Sequence, residues 1–506
     1  MTAAKLANCR FLSFSVIGVL TLLGGCGETV DLNKHQQLQQ QTVQRKIVDE
    51  LFTRSIQLIE DVEHSDSADL IDQSVNSLNQ WAESLQPLPD WQLDPLAQTL
   101  PDEVKASSLF KRLEKLTFGR GDAFALQEAI WMRQAGKHIA GKISDPLAKA
   151  ETLFDWIVLQ VALERPADQK IGHAAWETIL RGRGTAVDRL WTFVLLARQQ
   201  GLDVVVLGLE KDEKSTPWAA GLWHQKQLYL FDPELGLPIR NATGKLATLA
   251  EVTAQPELLA ALAVDAEHPY RIAPDELKQI VAWVEASPPY LAQRFRHVEL
   301  RLVGDERLAL STDASALAEQ LKKSGEVRDA KLWPLPWERL LPALARDPQY
   351  LAALVDVMRP FRVPNSLLWK GRVLHLGGKY TGDLSAVRFY LDSRPTGQEV
   401  SLLKDSKDTR FQDLQKAVPI AKQDATYWLG LIAYERGNYP TAIEHFEKRL
   451  LKAFPDSRWK SAAEFQIARA HEAAGDKAKA IEAYERVSEP ARSAALVRAK
   501  QLKAAK

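Results

Sequence analysis

Thr185, Asp188, Asp232 and Glu234 are the side chains whose types and spacing could do chemistry in this chain. A threonine hydroxyl attacks a carbonyl only with a base beside it. Paired carboxylates do acid–base work only when their surroundings push their pKa values apart. His173 stands ahead of a helix start, and His224 opens the polar run His224-Gln225-Lys226-Gln227. Thr185-x-x-Asp188 also has the spacing of a capping box, in which hydroxyl and carboxylate serve backbone amides at a helix start. Thiol chemistry is excluded over most of the chain, because its two cysteines are Cys9 and Cys26 and residues 27–506 carry none.

The elements that must position these groups are legible. Leu153, Phe154, Ile157, Val158 and Val161 share one helical face. A second helix is predicted from Thr185 to Gln200, with Gly201 placed to end it. Strands follow at 204–209, 218–223 and 228–231, the last two joined through the polar run as a hairpin. Helix, helix, then antiparallel strands is an α+β arrangement.

Gly182-Arg183-Gly184-Thr185-Ala186-Val187-Asp188 is followed by Leu195-Leu196-Ala197-Arg198-Gln199-Gln200-Gly201-Leu202, and Trp218-Ala219-Ala220 precedes Asp232-Pro233 by fourteen residues. Over residues 145–240, about a fifth of the chain, this pattern resembles the core of the transglutaminase-like superfamily. The resemblance implies a papain-like α+β core and a triad. In that triad a cysteine at a helix N-terminus attacks, a histidine moves the proton and an aspartate orients the histidine. Carried across, the cysteine position is Ala186, the histidine position Trp218 and the aspartate position Asp232. A methyl group cannot attack a carbonyl, and an indole N–H is a donor only. The triad is degenerate, so no catalytic residue is assigned; Asp232 is left to cap or orient a loop.

Other chemistry-bearing motifs are missing. There is no Gly-x-x-x-x-Gly-Lys-Ser phosphate loop, no His-Glu-x-x-His and no Gly-x-Ser-x-Gly. His35, His64, His138, His268, His297, His375, His445 and His471 are scattered without metal-ligand spacing, and the surfaces of the C-terminal repeats are the expected place for His445 and His471. No cofactor and no metal follow from the residues present.

Residues 1–25 read as an export signal, with Lys5 and Arg10 ahead of an apolar run at 11–23 that is too short to span a bilayer. Thr21-Leu22-Leu23-Gly24-Gly25-Cys26 resembles a bacterial lipobox. That implies acylation of Cys26 as the first residue of a mature lipoprotein on the periplasmic face of the cell envelope. Gly27 in place of aspartate favours the outer membrane over the inner. Residues 26–42 are polar and glutamine-rich, either a tether or the first turns of a long helix through Ile47, Leu51, Ile56 and Ile59.

The chain has 506 residues, 46% of them hydrophobic, with 65 basic and 65 acidic side chains, enough for several buried cores and without a general pull toward nucleic acid. Residues 43–140 read as a helical module interrupted at Gln86-Pro87-Leu88-Pro89, and residues 145–245 as the transglutaminase-like domain. Residues 246–420 are a mixed α/β region without a chemical reading. Within it a helix is predicted from Pro274 through Leu277, Ile280, Val281 and Val284 to Pro288-Pro289. A hairpin is predicted from Val298, Leu300 and Leu302 through Gly304-Asp305 into 308–310.

Residues 421–506 contain a repeat. Gly437, Ala442, Ile443 and Phe446 recur 38 residues on as Gly475, Ala480, Ile481 and Tyr484, and Gly430 recurs as Ala468. Phe454-Pro455-Asp456-Ser457 is the expected break, with Asp456 or Ser457 as a cap. The unit resembles tetratricopeptide repeats, here two repeats and a final helix from about Ala491, forming a small α-solenoid.

The expected fold is therefore α+β and multidomain. The expected function is a lipid-anchored envelope protein that binds protein or peptide partners through the degenerate cleft and the repeats. The alternatives are a hydrolase or acyltransferase with a new nucleophile or a carboxylate pair drawn from Asp188, Asp232 and Glu234, and a purely structural spacer. The sequence leaves the oligomeric state open.

Overall fold

Phe154, Phe193 and Phe231 meet with ring centroids 5.1–5.4 Å apart, and around this contact the predicted helices and strands close into a core. The architecture is that of a computed structural model describing residues 46, 48–61, 68–211, 214–362, 367–394 and 409–504. Cys9, Cys26 and the segments expected as export signal and tether lie outside the described residues. The chain divides into two units, Met1–Asp49 and Glu50–Lys506, and the elements below belong to the second. Among the described residues no helix is long and apolar enough to cross a membrane.

The longer helices preceding the sheet among the described residues are α1 (residues 50–60), α2 (Ala68–Ala82), α3 (Arg120–Ala140), α4 (Pro146–Gln160), α5 (Ala175–Arg181) and α6 (Ala186–Arg198). Strands β1 (Asp203–Lys211), β2 (Lys214–His224), β3 (Gln227–Asp232), β4 (Leu237–Pro238), β5 (Val281–Val284) and β6 (Asp329–Leu332) form one sheet in the order β4-β3-β2-β1-β5-β6. All neighbours are antiparallel except β5 and β6. The β2–β3 turn has positive φ at both central residues, Gln225 (49°) and Lys226 (62°), which matches the right-handed twist of the flanking strands.

Two expectations fail between residues 246 and 420. Residues Pro274–Gln279 form a 3₁₀ turn, and the expected helix gives way to strand β5. Ile280, Val281, Ala282, Trp283 and Val284 are all buried, so the segment has no polar face from which a period could be read. The expected hairpin is a helix, α7 (Gln293–Arg301), followed by a 3₁₀ turn at Gly304–Glu306. Phe295, Val298 and Leu302 are buried at helical spacing, while Leu300 is 55% exposed, so the alternation was a coincidence of three residues.

Toward the C-terminus lie α8 (Ala314–Ser324), α9 (Pro348–Val357), α10 (Leu367–Leu376), α11 (Ala386–Asp392), α12 (Thr409–Glu435) and α13 (Tyr439–Glu444), the last running on as a π-helix through Leu451. Helices α14 (Lys460–Ala473), α15 (Lys477–Glu485) and α16 (Arg492–Ala504) complete the chain. The α14 cap is not Asp456 or Ser457. Helix α14 begins after Trp459 without a side-chain cap, and the Ser457 hydroxyl accepts the Trp459 N–H at 3.3 Å. His445 is buried at 8% exposure, contrary to the surface position expected, and burial pushes its imidazole down to about 4. It is the first residue of the π segment, whose i→i+5 bonding widens the turn and shifts the helical phase from which a surface position would be read.

Candidate functional site

Helix α6 starts on a capping box. The Thr185 hydroxyl accepts the Asp188 N–H at 3.3 Å, and Asp188 Oδ2 accepts the Thr185 N–H at 2.7 Å. Thr185 Oγ1 also donates to Asp188 Oδ2 at 2.8 Å, so the hydroxyl is used in both directions. Gln169 donates to the same carboxylate at 2.9 Å, and Arg339 pairs with its other oxygen. Burial pushes the Asp188 carboxyl up, but the Arg339 charge and the donated bonds outweigh it and hold it below the usual carboxylate range. Asp188 is thus committed as an anion to the helix start.

Ala186, the first residue of α6, is half-buried. Its neighbours Thr185 and Val187 border a cleft of about 680 Å³, together with Ser215, Thr216, Pro217 and Lys331. Trp218, one residue beyond Pro217, is 1% exposed and donates through Nε1 to the Tyr270 hydroxyl at 2.8 Å. Tyr270 in turn donates to Asp232 Oδ2 at 2.6 Å. The structure therefore brings Trp218 and Asp232 together with a tyrosine between them. Burial and the Asp232 charge raise the Tyr270 phenol well above its ordinary range, which keeps it a donor.

Asp232 is fully buried at the end of β3. Its Oδ1 accepts the N–H groups of Glu234 and Leu235 at 2.8 and 2.9 Å and Arg271 Nη2 at 2.9 Å. Arg271 also pairs with Glu234 and donates to the Trp218 carbonyl. Asp232 and Glu234 share one guanidinium, whereas Asp188 bonds a separate set of residues. His173 is buried, with Nδ1 3.5 Å from Glu177 Oε2, and its carbonyl accepts Arg339 at 2.6 Å. His224 pairs with Gln227 at the end of β2. Among the described residues neither histidine bonds Thr185, Trp218 or Asp232, and no group of three or more His, Cys, Asp or Glu could hold a metal ion.

Sequence reasoning missed Tyr270, Arg271 and Arg339. The first two lie 38 and 39 residues from Asp232 and Arg339 lies 151 from Asp188, with no local pattern to mark them.

The C-terminal helices are built on the spacing seen in the sequence. Gly437 (φ 72°) and Gly475 (φ 81°) make the two intra-repeat turns. Ala442, Ala468 and Ala480 are fully buried where helices approach. A Cβ on Gly430 would stand 2.6 Å from the ring of Phe446, which is itself fully buried. Gly430→Ala is expected to cost about 1–3 kcal/mol through overpacking, more than the ~1 kcal/mol of helix propensity it gains. A melting temperature equal to or above that of the unaltered protein would refute this.

A trough of about 1130 Å³ runs between these helices and α4. On the repeat side, Arg469 donates to both oxygens of Asp155 at 2.6 and 2.8 Å and lies 5.5 Å from the Tyr434 ring. Glu472 accepts Tyr484 at 2.8 Å and pairs with Arg498. The tetratricopeptide repeat family matches the chain over residues 423–492. Those residues are of tetratricopeptide type. No curated protein and no solved structure matches the chain. Repeats of this type stack into extended surfaces suited to contacts with other proteins.

Proposed function

We propose that the chain is a membrane-tethered, non-catalytic envelope protein that holds a protein or peptide partner. In this reading Cys26 carries the lipid anchor, with the outer membrane favoured over the inner. Residues 145–245 are a transglutaminase-like domain without its nucleophile. The observation that carries the reading is the closed chain Trp218–Tyr270–Asp232. Where the resembled family has a base aimed at a thiolate, this protein has an indole N–H, which cannot take a proton, and the buried Asp232 carboxylate behind it is already engaged by Tyr270, Arg271 and two backbone N–H groups. Binding capacity lies instead in the repeats and in the trough they share with α4.

The test uses the full chain in its own envelope, with a photo-crosslinking residue at Gln501 in the trough and a control at exposed Glu482. A discrete protein adduct from position 501 and none from 482 is the expected result. In the same cells palmitate should label the protein and fail to label Cys26→Ser. Purified protein that hydrolyses or transfers acyl groups from peptide amides, with the activity lost in Asp232→Ala, would overturn the non-catalytic reading.

A further inference from the structure

Helix α9 is mostly apolar yet contains no buried residue. Its sequence, Pro-Gln-Tyr-Leu-Ala-Ala-Leu-Val-Asp-Val, places Gln349 and Asp356 seven residues apart on one face and leaves Leu351 and Val355 away from it. The apolar stripe of a surface helix ordinarily faces other elements. Leu351 and Val355 are 41% and 43% exposed one turn apart, and Leu344 in the preceding turn is 45% exposed. These are three of the seven large apolar side chains found exposed among the described residues, gathered on one ridge. The ridge is held at both ends by buried aromatic anchors, Trp337 (0%) before it and Phe361 (5%) after it.

The charge around the ridge decides what covers it. Lys170 and Arg359 both pair with Asp356, at 3.0 and 2.9 Å. Lys416 also lies near enough to help these bonds pull the Asp356 carboxyl below its usual range. Arg346 is exposed, and its φ of 52° is a backbone conformation that side chains other than glycine rarely adopt. The remaining acid, Asp347, accepts the N–H groups of Gln349 and Tyr350 as the α9 cap. Among the described residues, these four cations thus stand against these two carboxylates, and both carboxylates are already engaged. A second copy of the chain would bring an equal excess of positive charge against this rim. An anionic lipid surface complements it, with the apolar ridge entering the acyl boundary and the cations meeting headgroups.

We propose that α9 and the turn before it form a second membrane contact, specific for anionic bilayers, which lays the folded body against the leaflet. The proposal rests on the lipid-anchored reading for its setting. A tether through Cys26 would raise the local concentration of this weak surface, so that a few apolar side chains suffice.

The test removes the anchor from the comparison. Residues 27–506, which contain the whole compact unit Glu50–Lys506, are produced without a lipid. They are floated with vesicles of phosphatidylethanolamine and phosphatidylglycerol, or of phosphatidylcholine alone. Flotation is expected with the anionic vesicles only, weakening with salt. It should fall by about tenfold in Leu351→Asp/Val355→Asp and by several-fold in Arg346→Glu. Both apolar positions are more than 40% exposed, so the variants should keep the circular dichroism spectrum of the parent. No flotation, equal flotation of the double variant, or a dimer in sedimentation that the double variant dissolves would each overturn the proposal. Palmitate labelling at Cys26 is read separately, so a failed anchor and a failed α9 contact are distinguishable.

Discussion

Arg372→Ala is expected to lower the free energy of unfolding by about 3–5 kcal/mol and to expose the repeats to protease before the rest of the chain. Arg372 has no exposed surface. Its guanidinium donates to the Ile179 carbonyl at 3.1 and 2.9 Å, to the Gln160 carbonyl at 3.2 Å and to Gln160 Oε1 at 2.6 Å, and its centre lies 5.0 Å from the Trp428 ring. One side chain on α10 therefore ties α4 and α5 to the first repeat helix, α12. Alanine would leave these oxygens buried without donors and open a cavity beside Trp428. Lysine offers a point charge on a flexible stem in place of a planar fork, so Arg372→Lys should recover only part of the loss. An unchanged urea midpoint in the alanine variant would refute the assignment.

The same junction accounts for a glycine. Gly182 ends α5 at φ 65°, and a Cβ there would stand 3.0 Å from Trp428 Nε1, 3.1 Å from the Gln160 carbonyl and 3.3 Å from Arg372 Nη2. Its place is required by the approach of the repeats as well as by the turn. Glu435, on α12, reinforces the contact by accepting Trp156 Nε1 at 3.1 Å, Gln160 Nε2 at 2.8 Å and His375 Nε2 at 2.7 Å. The repeats are thus bound to the α/β core by a desolvated polar network, which fixes the walls of the trough relative to each other.

How much of this the sequence discloses depends on the range of each interaction. Helices α4 and α6, the β2–β3 hairpin and the repeat turns were legible because amphipathic period, capping chemistry and glycine position are local. Strand β5 was not, because burial on both faces removes the period that tells strand from helix. Helix α7 was misread because three alternating residues are too few to exclude a helical face. At the candidate site Ala186, Trp218 and Asp232 could be named, and the Thr185–Asp188 cap could be read from its spacing. Tyr270 could not, because the bonds that place it between Trp218 and Asp232 cross 52 and 38 residues of chain. Arg372 was equally invisible, since its partners are 193 and 212 residues away.

Glu128→Gln should make the protein less stable than its parent at pH 5 and more stable at pH 8. Glu128 faces inward from α3 at 7% exposure, and its Oε2 accepts the Trp176 N–H, an orphan donor in the first turn of α5, at 2.7 Å. Burial pushes its pKa up to about 8, with the Glu285 charge adding to the shift and Arg198 opposing it. The unfolded chain ionises this group near its ordinary value of 4.5. The folded state therefore holds a proton that the unfolded state releases between these two values. Stability from this group is complete below pH 4.5 and is lost as pH rises through about 8, by roughly 1.4 kcal/mol per pH unit in between. Glutamine keeps an oxygen for the Trp176 N–H and cannot ionise, but it buries an amide NH₂ at a cost of about 1–3 kcal/mol. The two stability curves should then cross near pH 6, within about one unit. Urea titrations at pH 5 and pH 8 decide the matter. Parallel curves would mean that Glu128 is already ionised inside the fold and that Arg198 outweighs its burial.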